Sequence, residues 1–257
     1  MARIFVTGSS DGIGRETARQ LIAAGHEVVL HARTVARAGD ARRALPKAAG
    51  VVVGDLASLA QTRDLAHTAA DSAPFDAVIH NAAVGGRGTD RTLTADGLER
   101  IFQVNTVAPY LLTALMPTPA RMVYLTSGLQ SVGRVRLDDL QWERRDWDGM
   151  QAYSDSKLYD LMLAFAVARL WPHVITNAVD PGWIRTRMGG PDAPDDLPDG
   201  AETQVWLASA TEPAALQSGR YLNRRVELRP NPQALDVELQ SEFLAALDAI
   251  TGVQLTS

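Results

Sequence analysis

Short, continuously apolar runs alternate along this chain with longer stretches in which apolar residues recur at helical spacing. The apolar runs predicted as strands are 4–7, 27–31, 51–53, 76–80, 121–126, 174–179 and a short seventh at 219–222. The stretches predicted as helices are 12–24, 34–45, 59–73, 94–116, 151–171 and 233–250. Unbroken apolar strands are typical of a parallel sheet that is buried on both faces. The alternation predicts one α/β domain over 1–257, with a doubly wound, mostly parallel, seven-stranded sheet and helices on both faces.

The first strand leads into the sequence GSSDGIG at 8–14, and the first helix follows at once. Glycines let a backbone turn sharply and approach a pyrophosphate closely. The N-terminus of the helix adds unpaired N–H groups and the positive end of the helix dipole. This turn, placed between a strand and a helix, predicts a dinucleotide site; a tight turn without a ligand is the alternative.

The end of the second strand reads His31, Ala32, Arg33 and carries no acidic residue. An acid at this position accepts hydrogen bonds from the ribose 2′-hydroxyl of NAD, whereas an arginine accommodates the 2′-phosphate of NADP. Arg15, just after the glycine turn, offers a second cation, and guanidinium groups suit phosphate. We therefore expect NADP(H), with NAD as the alternative if Arg33 and Arg15 are only solvated surface charges.

Tyr153 and Lys157 stand four residues apart in a predicted helix, on one face and one turn apart. A cation close to a phenol favours the phenolate, so the pair predicts a lowered phenol pKa and a proton donor and acceptor that works near neutral pH. The chain has only two lysines, Lys47 and Lys157, although lysine plus arginine total 25. Lysine therefore stands at position 157 in a chain that otherwise uses arginine.

Two further polar residues are candidates for the same site. Ser127 follows the fifth strand, where its hydroxyl can bond a substrate oxygen, and Thr126 is its alternative if the strand ends one residue earlier. Asn105 lies on an apolar helical stripe, so its amide must be hydrogen-bonded. Pro109 has no N–H, which predicts a kink and a freed Asn105 carbonyl that holds a water near Lys157. A purely structural bridge is the alternative for Asn105.

Together these residues resemble the short-chain dehydrogenase/reductase family over nearly the whole chain, which implies a Rossmann-type fold. The family's catalytic positions match Asn105, Ser127, Tyr153 and Lys157. Its cofactor motifs match Thr7, Gly8, Gly12, Gly14, Asp55, Leu56, Asn81, Ala82, Pro181, Gly182 and Thr186. The full set of predicted cofactor-binding residues adds Ser10, Ile13, Arg15, Arg33, Tyr153, Lys157 and Ile184. The family usually has glycine where this chain has Ala83. By the resemblance, Lys157 also bonds the nicotinamide ribose.

A narrower resemblance is to retinol-dehydrogenase-like and related bacterial members. Ser127 and Tyr153 are separated by 25 residues, which is similar to that group and wide for the family at large. The sequences DDLQW at 138–142 and QVWL at 204–207 add to the likeness. The resemblance implies an enzyme that transfers hydride between a nicotinamide and a carbonyl or alcohol.

Two segments interrupt the alternation, at 129–150 and 181–200, and both follow strand ends, where open α/β sheets bind ligands. We expect them to form substrate walls or a lid, with plain surface loops as the alternative. Trp142, Trp147, Trp183 and Met188 would form an apolar wall or else cover a loop or an oligomer contact. The sequence names no substrate.

The overall composition of the chain limits the kinds of partner and cofactor that we expect it to bind. A net charge of −5 gives no electrostatic reason to expect nucleic acid or an anionic membrane. With no cysteine, disulfides and thiolate chemistry are excluded, and the five histidines have no zinc-type spacing. The first strand leaves no room for a signal peptide, so we expect a cytoplasmic protein. The helix 151–171 is apolar all round, which predicts a homo-oligomer (dimer or tetramer) with a partner subunit on one face.

Two other functions stay open at the level of sequence. One is a sugar-nucleotide epimerase or dehydratase of the same superfamily, which the glycine spacing and the short region after Gly182 oppose. The other is a catalytically idle dinucleotide-binding redox sensor, since fold does not dictate function. A binding module needs no Tyr153–Lys157 pair, so an NADP(H)-dependent oxidoreductase is the leading hypothesis.

Overall fold

The computed structural model describes residues 1–86, 88 and 90–255, and within them eight strands form one sheet. The strands are β1 (Arg3–Val6), β2 (Glu27–Ala32), β3 (Gly50–Val53), β4 (Ala77–His80), β5 (Arg121–Leu125), β6 (Ile175–Val179), β7 (Tyr221–Asn223) and β8 (Val226–Glu227). Their order is β3-β2-β1-β4-β5-β6-β7-β8. The strands β1 to β7 run parallel, and β8 pairs antiparallel with β7. The predicted doubly wound α/β sheet is confirmed.

The predicted count of seven strands is one short. The extra strand β8 has two residues, both exposed, and it follows a tight turn in which Arg224 and Arg225 have positive φ. Two exposed residues carry no apolar periodicity, so the sequence pattern has nothing to detect there.

The described helices are α1 (Gly12–Ala23), α2 (Val35–Ala44), α3 (Leu59–Ala70), α4 (Arg100–Phe102), α5 (Ala108–Leu115), α6 (Gly149–Leu170), α7 (Leu197–Ser209) and α8 (Val237–Thr251). Side chains satisfy the first N–H groups of several of them, because an α-helix leaves these donors without an internal partner. The capping residues include Asp11 for α1, Thr34 for α2, Ser58 for α3 and Asp148 for α6.

Alternate residues of the strands pack in two different hydrophobic cores, because successive side chains of a strand point to opposite faces of the sheet. Ile4 and Val6 of β1 pack in one cluster with Leu21 of α1 and Trp206 of α7. Phe5, between them, packs on the other face with residues of α3 and α5. The sheet therefore lies between two helical layers, which explains why its strands are apolar on successive positions.

The helix predicted over 94–116 begins at Arg100 instead. Gly97 has a φ of +77°, which a continuous helix does not accept, and the carboxylate of Glu99 caps the N–H groups of Ile101 and Phe102. Between α4 and α5 the chain makes a π-helical turn, Gln103–Val107, just ahead of Pro109. The irregularity that the proline predicts is therefore a π turn around Asn105.

Helix α7 was not predicted, and it begins inside the segment 181–200. Pro198 occupies its first turn, where a missing N–H costs nothing. Its buried face includes Thr203 and Gln204 as well as Trp206, so polar side chains dilute the apolar pattern. The prediction of an uninterrupted loop to residue 200 is wrong by this helical turn.

Helix α6 is buried along most of its length, and the chain itself covers it. One side lies on β5 and β6, and the other side meets α8. The rings of Tyr159 on α6 and Phe243 on α8 lie 5.1 Å apart. The apolar pattern that predicted a partner subunit is thus accounted for by the chain's own C-terminal helix, and oligomerisation stays a prediction.

Candidate functional site

The carboxyl ends of the parallel strands open into a cleft of about 600 Å³. Most of the residues predicted to bind a cofactor form its wall: Gly8, Ser10, Gly12, Ile13, Gly14, Arg33, Asp55, Leu56, Asn81, Ala82, Tyr153, Lys157, Pro181 and Thr186. The predicted residues that are not part of the wall are Thr7, Arg15, Asn105, Ser127, Gly182 and Ile184. Tertiary structure thus brings residues from six strand ends to one place.

The glycine turn of 8–14 is shaped by close contacts that only glycine permits. A Cβ on Gly14 would lie 2.5 Å from the carbonyl oxygen of Gly8 and would also collide with the amide of Asn81. Gly8 has a φ of +63°, in the left-handed region that glycine adopts without strain. The turn therefore packs against the segment after β4 and leaves the N-terminus of α1 on the cleft wall.

Thr7 and Asn81 join the ends of β1 and β4 from behind this turn. The Thr7 hydroxyl oxygen accepts the backbone N–H groups of Asn81 and Ala82, at 2.9 and 3.0 Å. The Asn81 amide donates to the carbonyl oxygen of Thr7 at 2.8 Å. Thr7 lies off the cleft wall, so its side chain holds the ends of β1 and β4 together and does not form part of the wall.

His31 connects the glycine turn to the next two strands. Its Nδ1 accepts the backbone N–H of Gly8 at 2.9 Å, and its Nε2 lies 2.9 Å from the carbonyl oxygen of Gly54. The second contact needs a proton on Nε2, so the neutral ring satisfies both. Burial lowers the pKa of His31.

A group of arginines stands beyond the end of β2. Arg33 and Arg37 belong to the cleft wall, whereas Arg15 does not. The carboxylate of Asp11 lies 3.3 Å from Arg37 and 3.8 Å from Arg15. Arg37, which sits in the first turn of α2, was not among the residues predicted from the sequence; its place four residues after Arg33 was the available signal.

Tyr153 and Lys157 lie on the cleft wall in α6, as their spacing predicts. The Lys157 Nζ lies 5.7 Å from the centre of the Tyr153 ring. It donates to the carbonyl oxygen of Leu125 at 2.9 Å and to Oδ2 of Asp160 at 2.7 Å. The ammonium is therefore buried with a carboxylate partner that sequence analysis missed.

The charge balance around Tyr153 differs from the prediction. Burial raises the pKa of the phenol, Lys157 lowers it, and Asp160 and Asp180 raise it again; the net direction is upward. The predicted lowering by Lys157 is present, but the prediction of a net lowered pKa is wrong. Spacing along a helix carries no information about burial or about a carboxylate from another strand end.

Ser127 and Thr126 at the end of β5 have different surroundings. The Thr126 hydroxyl is buried and donates to the carbonyl oxygen of Lys157 at 2.6 Å, so its proton is committed to α6. Ser127 is partly exposed, and its hydroxyl oxygen accepts the N–H of Leu129 at 3.2 Å. The Ser127 O–H is left to donate, which keeps Ser127 a candidate, although Thr126 is the one of the two that lines the cleft.

Asn105 is fully buried, and its amide is satisfied by two parts of the chain. Oδ1 accepts the N–H of Val84 at 2.8 Å, while Nδ2 donates to the Val84 carbonyl oxygen and to Ser156 Oγ, each at 2.9 Å. Asn105 therefore ties the segment after β4 to the helix of Tyr153. This bridge is the structural alternative raised by the sequence; a catalytic role of its carbonyl stays a prediction.

The two interrupting segments contribute differently to the cleft. From 181–200, Pro181, Thr186, Arg187 and Met188 line it, whereas Ile184 is buried beneath. Gly182 has a φ of +90°, and its N–H bonds Asp180. No residue of 129–150 belongs to the described cleft wall.

The segment 129–150 is instead fastened to α6 by Arg145. The guanidinium lies 3.1 Å from Asp139, 3.2 Å from Asp155 and 3.6 Å from the centre of the Trp142 ring. Trp142 is buried and its ring contacts that of Trp147, so the two tryptophans pack against each other within this loop. Trp183 is exposed, and its indole N–H bonds the Gly189 carbonyl oxygen. Of the four residues expected to form an apolar wall of the cleft, only Met188 lines it.

Among the residues that the structure describes, no group of His, Cys, Asp and Glu side chains is arranged to hold a metal ion. Within the same ranges, no helix combines the length and the apolar character that a membrane crossing needs.

Comparison with known proteins gives consistent similarities. A family model described as short chain dehydrogenase matches residues 2–196. An uncharacterized oxidoreductase of Emericella nidulans is 42% identical and covers 98% of both chains. A Streptomyces protein with the provisional name daunorubicin C-13 ketoreductase is 33% identical over 97% of this chain and 92% of its own. Human retinol dehydrogenase 14 is 30% identical over 97% of this chain and 86% of its own.

Solved structures resemble the fold. An uncharacterized protein of Mycobacterium Paratuberculosis has a TM-score of 0.84 at 25% identity, with 100% of this chain and 96% of that chain covered. A blue fluorescent protein from a metagenomic library, solved in complex with NADPH, has a TM-score of 0.68 at 24% identity, with 86% of this chain and 95% of that chain covered.

Proposed function

Because this chain belongs to the short-chain dehydrogenase family, we propose that it is an NADP(H)-dependent oxidoreductase that interconverts a carbonyl and an alcohol. One observation carries the proposal: Tyr153 and Lys157 share a single cleft wall with the glycine turn of 8–14. A proton donor and a dinucleotide cradle in one cleft are what a carbonyl reduction requires.

The residues of the glycine turn fit a dinucleotide. Gly8 and Gly14 let the turn pack tightly against Asn81 and Ala82, which fixes its shape, and the N-terminus of α1 favours a pyrophosphate. Asp55, Leu56, Asn81 and Ala82 would hold the adenosine side, and Pro181 and Thr186 the nicotinamide side. When bound, the dinucleotide supplies or accepts hydride.

The chain's own residues handle the proton and the oxygen. Tyr153 donates its phenol proton to the carbonyl oxygen in reduction and takes one from the alcohol in oxidation. Lys157 favours the phenolate, and two of its three N–H donors are held by Leu125 and Asp160, which leaves the third for the cleft. Ser127 donates to the reacting oxygen, and Asn105 keeps α6 in register with the segment after β4.

The cofactor preference rests on Arg33 and Arg37. Both line the cleft beyond β2, where forked guanidinium donors suit a 2′-phosphate. We expect kcat/KM to be higher with NADPH than with NADH, and the replacement Arg33→Ala with Arg37→Ala to reverse or abolish that preference. Arg43→Ala, exposed on the same helix α2, is the matched control and keeps it. Equal values with NADPH and NADH in the wild type would contradict the proposal.

The test of the reaction follows NADPH consumption against a panel of aldehydes and ketones. Ketones are included because of the name of the Streptomyces relative. We expect Tyr153→Phe to lower kcat/KM by roughly 100-fold or more, since a positioned acid contributes about that factor. Tyr159→Phe, a buried tyrosine on the same helix, is the matched control and stays within a few fold of the wild type. Cofactor binding without any turnover would favour the redox-sensor alternative.

A further inference from the structure

The ion pair between Lys157 and Asp160 is the least expected feature of the cleft. Lys157 Nζ and Asp160 Oδ2 lie 2.7 Å apart, with side chains only 3% and 5% exposed. Asp160 is one helical turn beyond Lys157, on the side away from Tyr153 in the chain. A buried carboxylate is costly unless it is paired, and the ammonium of Lys157 is its partner.

We propose that Asp160 is a positioning residue: it holds the Lys157 ammonium in place and sets, through its negative charge, the pH range in which Tyr153 exchanges its proton. This inference rests on the proposed function, because it concerns the same Tyr153–Lys157 pair. Asp160 itself acts through Lys157.

The physical reason is that a nearby negative charge makes every proton in the cluster harder to remove. Burial raises the pKa of Tyr153 and lowers that of Lys157, and the charge of Asp160 raises the pKa of both. Burial also raises the pKa of Asp160 itself to about 6. Near neutral pH the pair is therefore ionic, and Lys157 shares its charge between the carboxylate and the phenol. Removal of the carboxylate lets the first proton leave the Tyr153–Lys157 pair at lower pH, whichever residue loses it.

Other titratable groups face this cluster from the neighbouring strands. Tyr124 of β5 is buried, and the charge of Asp160 helps to raise its pKa. His80 of β4 stacks on Tyr124 at 4.7 Å, and burial lowers its pKa to about 3, so it is neutral. Asp180, after β6, raises the pKa of Tyr153. Asp160, by contrast, is hydrogen-bonded to Lys157 directly.

The test is the pH dependence of alcohol oxidation with NADP⁺, using the alcohol that corresponds to the best carbonyl of the panel. We expect Asp160→Asn to move the acid limb of kcat/KM to lower pH by about one unit. Asp160→Glu, which restores the charge, brings the limb back toward the wild-type position. Should Asp160→Asn not fold, Asp160→Ser replaces it, with the same expected shift.

Asp155→Asn is the matched control, because Asp155 is also a buried carboxylate of α6. It bonds Arg134, Arg145 and Gln151 and does not contact Lys157. We expect its acid limb to stay in place even though stability falls. If Asp160→Asn lowers kcat/KM equally at every pH, Asp160 is only structural and the inference is overturned.

A second measurement separates this inference from the proposed function. Ultraviolet titration of tyrosinate, as the difference between wild type and Tyr153→Phe, reports Tyr153 ionisation without turnover. Asp160→Asn should shift this difference titration to lower pH. A protein with no turnover but with this shift would sink the proposed function and keep the inference. Turnover that depends on Tyr153, with an unshifted titration, would do the reverse.

Discussion

The imidazole of His31 accepts a 2.9 Å hydrogen bond from the backbone N–H of Gly8, so the end of β2 holds the first residue of the glycine turn. The other ring nitrogen faces the Gly54 carbonyl oxygen after β3. One neutral side chain thus links three strand ends at the rim of the cleft. Protonation of Nδ1 would point an N–H at the Gly8 N–H and break the link.

The first prediction concerns cofactor affinity. We expect His31→Leu to weaken NADPH binding by roughly tenfold at neutral pH, because the partly buried Gly8 N–H loses its acceptor. His31→Asn should restore most of the affinity, since an amide oxygen can replace Nδ1. The measurement is NADPH fluorescence titration.

The same variants test the pH dependence. Burial lowers the pKa of His31, so the wild type loses affinity only as the pH falls below the ordinary range of histidine. His31→Asn carries no titratable group and should lack this part of the acid loss. Asp11, Asp55, Arg33 and Arg37 also line the cleft and are present in both proteins, so the difference between the two pH profiles reports the side chain at position 31. Identical pH profiles of NADPH affinity in the wild type and His31→Asn would contradict this role of the His31–Gly8 hydrogen bond.

A second prediction follows from the crowding at Gly14. Gly14→Ala should destabilise the protein by about 2 kcal/mol, because the added Cβ meets the Gly8 carbonyl and the Asn81 amide. It should also weaken NADPH binding. Gly39→Ala in α2 is the control: its Cβ meets only the far end of Arg43, so a gain of roughly 0.5–1 kcal/mol is expected. Urea unfolding measures both.

The third prediction concerns Arg145, which ties the loop before α6 to that helix. Arg145→Met should cost about 2 kcal/mol, because Asp155 stays buried without its cation. It should also speed proteolysis within 137–147. Arg144→Met is the control: its 3.6 Å pair with Asp138 is exposed on both sides, so a change below about 0.5 kcal/mol is expected. Equal effects of the two would refute the anchoring role.

The fourth prediction is a pH dependence of stability. The native pKa of His80 is about 3, below its unfolded value of 6.5, because burial excludes the charged form. Its contribution is present above the unfolded pKa and is lost as pH falls toward the native pKa. Between about pH 7 and pH 5 the loss is about 2 kcal/mol. His80→Phe should remove that part of the decline in unfolding free energy, whereas His67→Phe, at an exposed site, should not.

Local signals in the chain predicted much of the fold and part of the site. The strands and most helices follow from periodicity, and the glycine turn follows from conformational freedom that only glycine has. Tyr153 and Lys157 meet because four residues make about one helical turn. The elements missed were β8 and α7, where two exposed residues and a polar-rich buried face leave no clear period.

What the sequence by itself determined is the set of local geometries: a parallel α/β sheet, a glycine turn and a phenol one turn from an ammonium. What only the tertiary structure decided is which distant groups surround them. His31 reaches Gly8, Arg37 reaches the cleft, and Asp180 acts on Tyr153 from another strand end. Burial also reversed the expected direction of the Tyr153 pKa. The physical reason is that desolvation and charge depend on distance in space, which position along the chain does not contain.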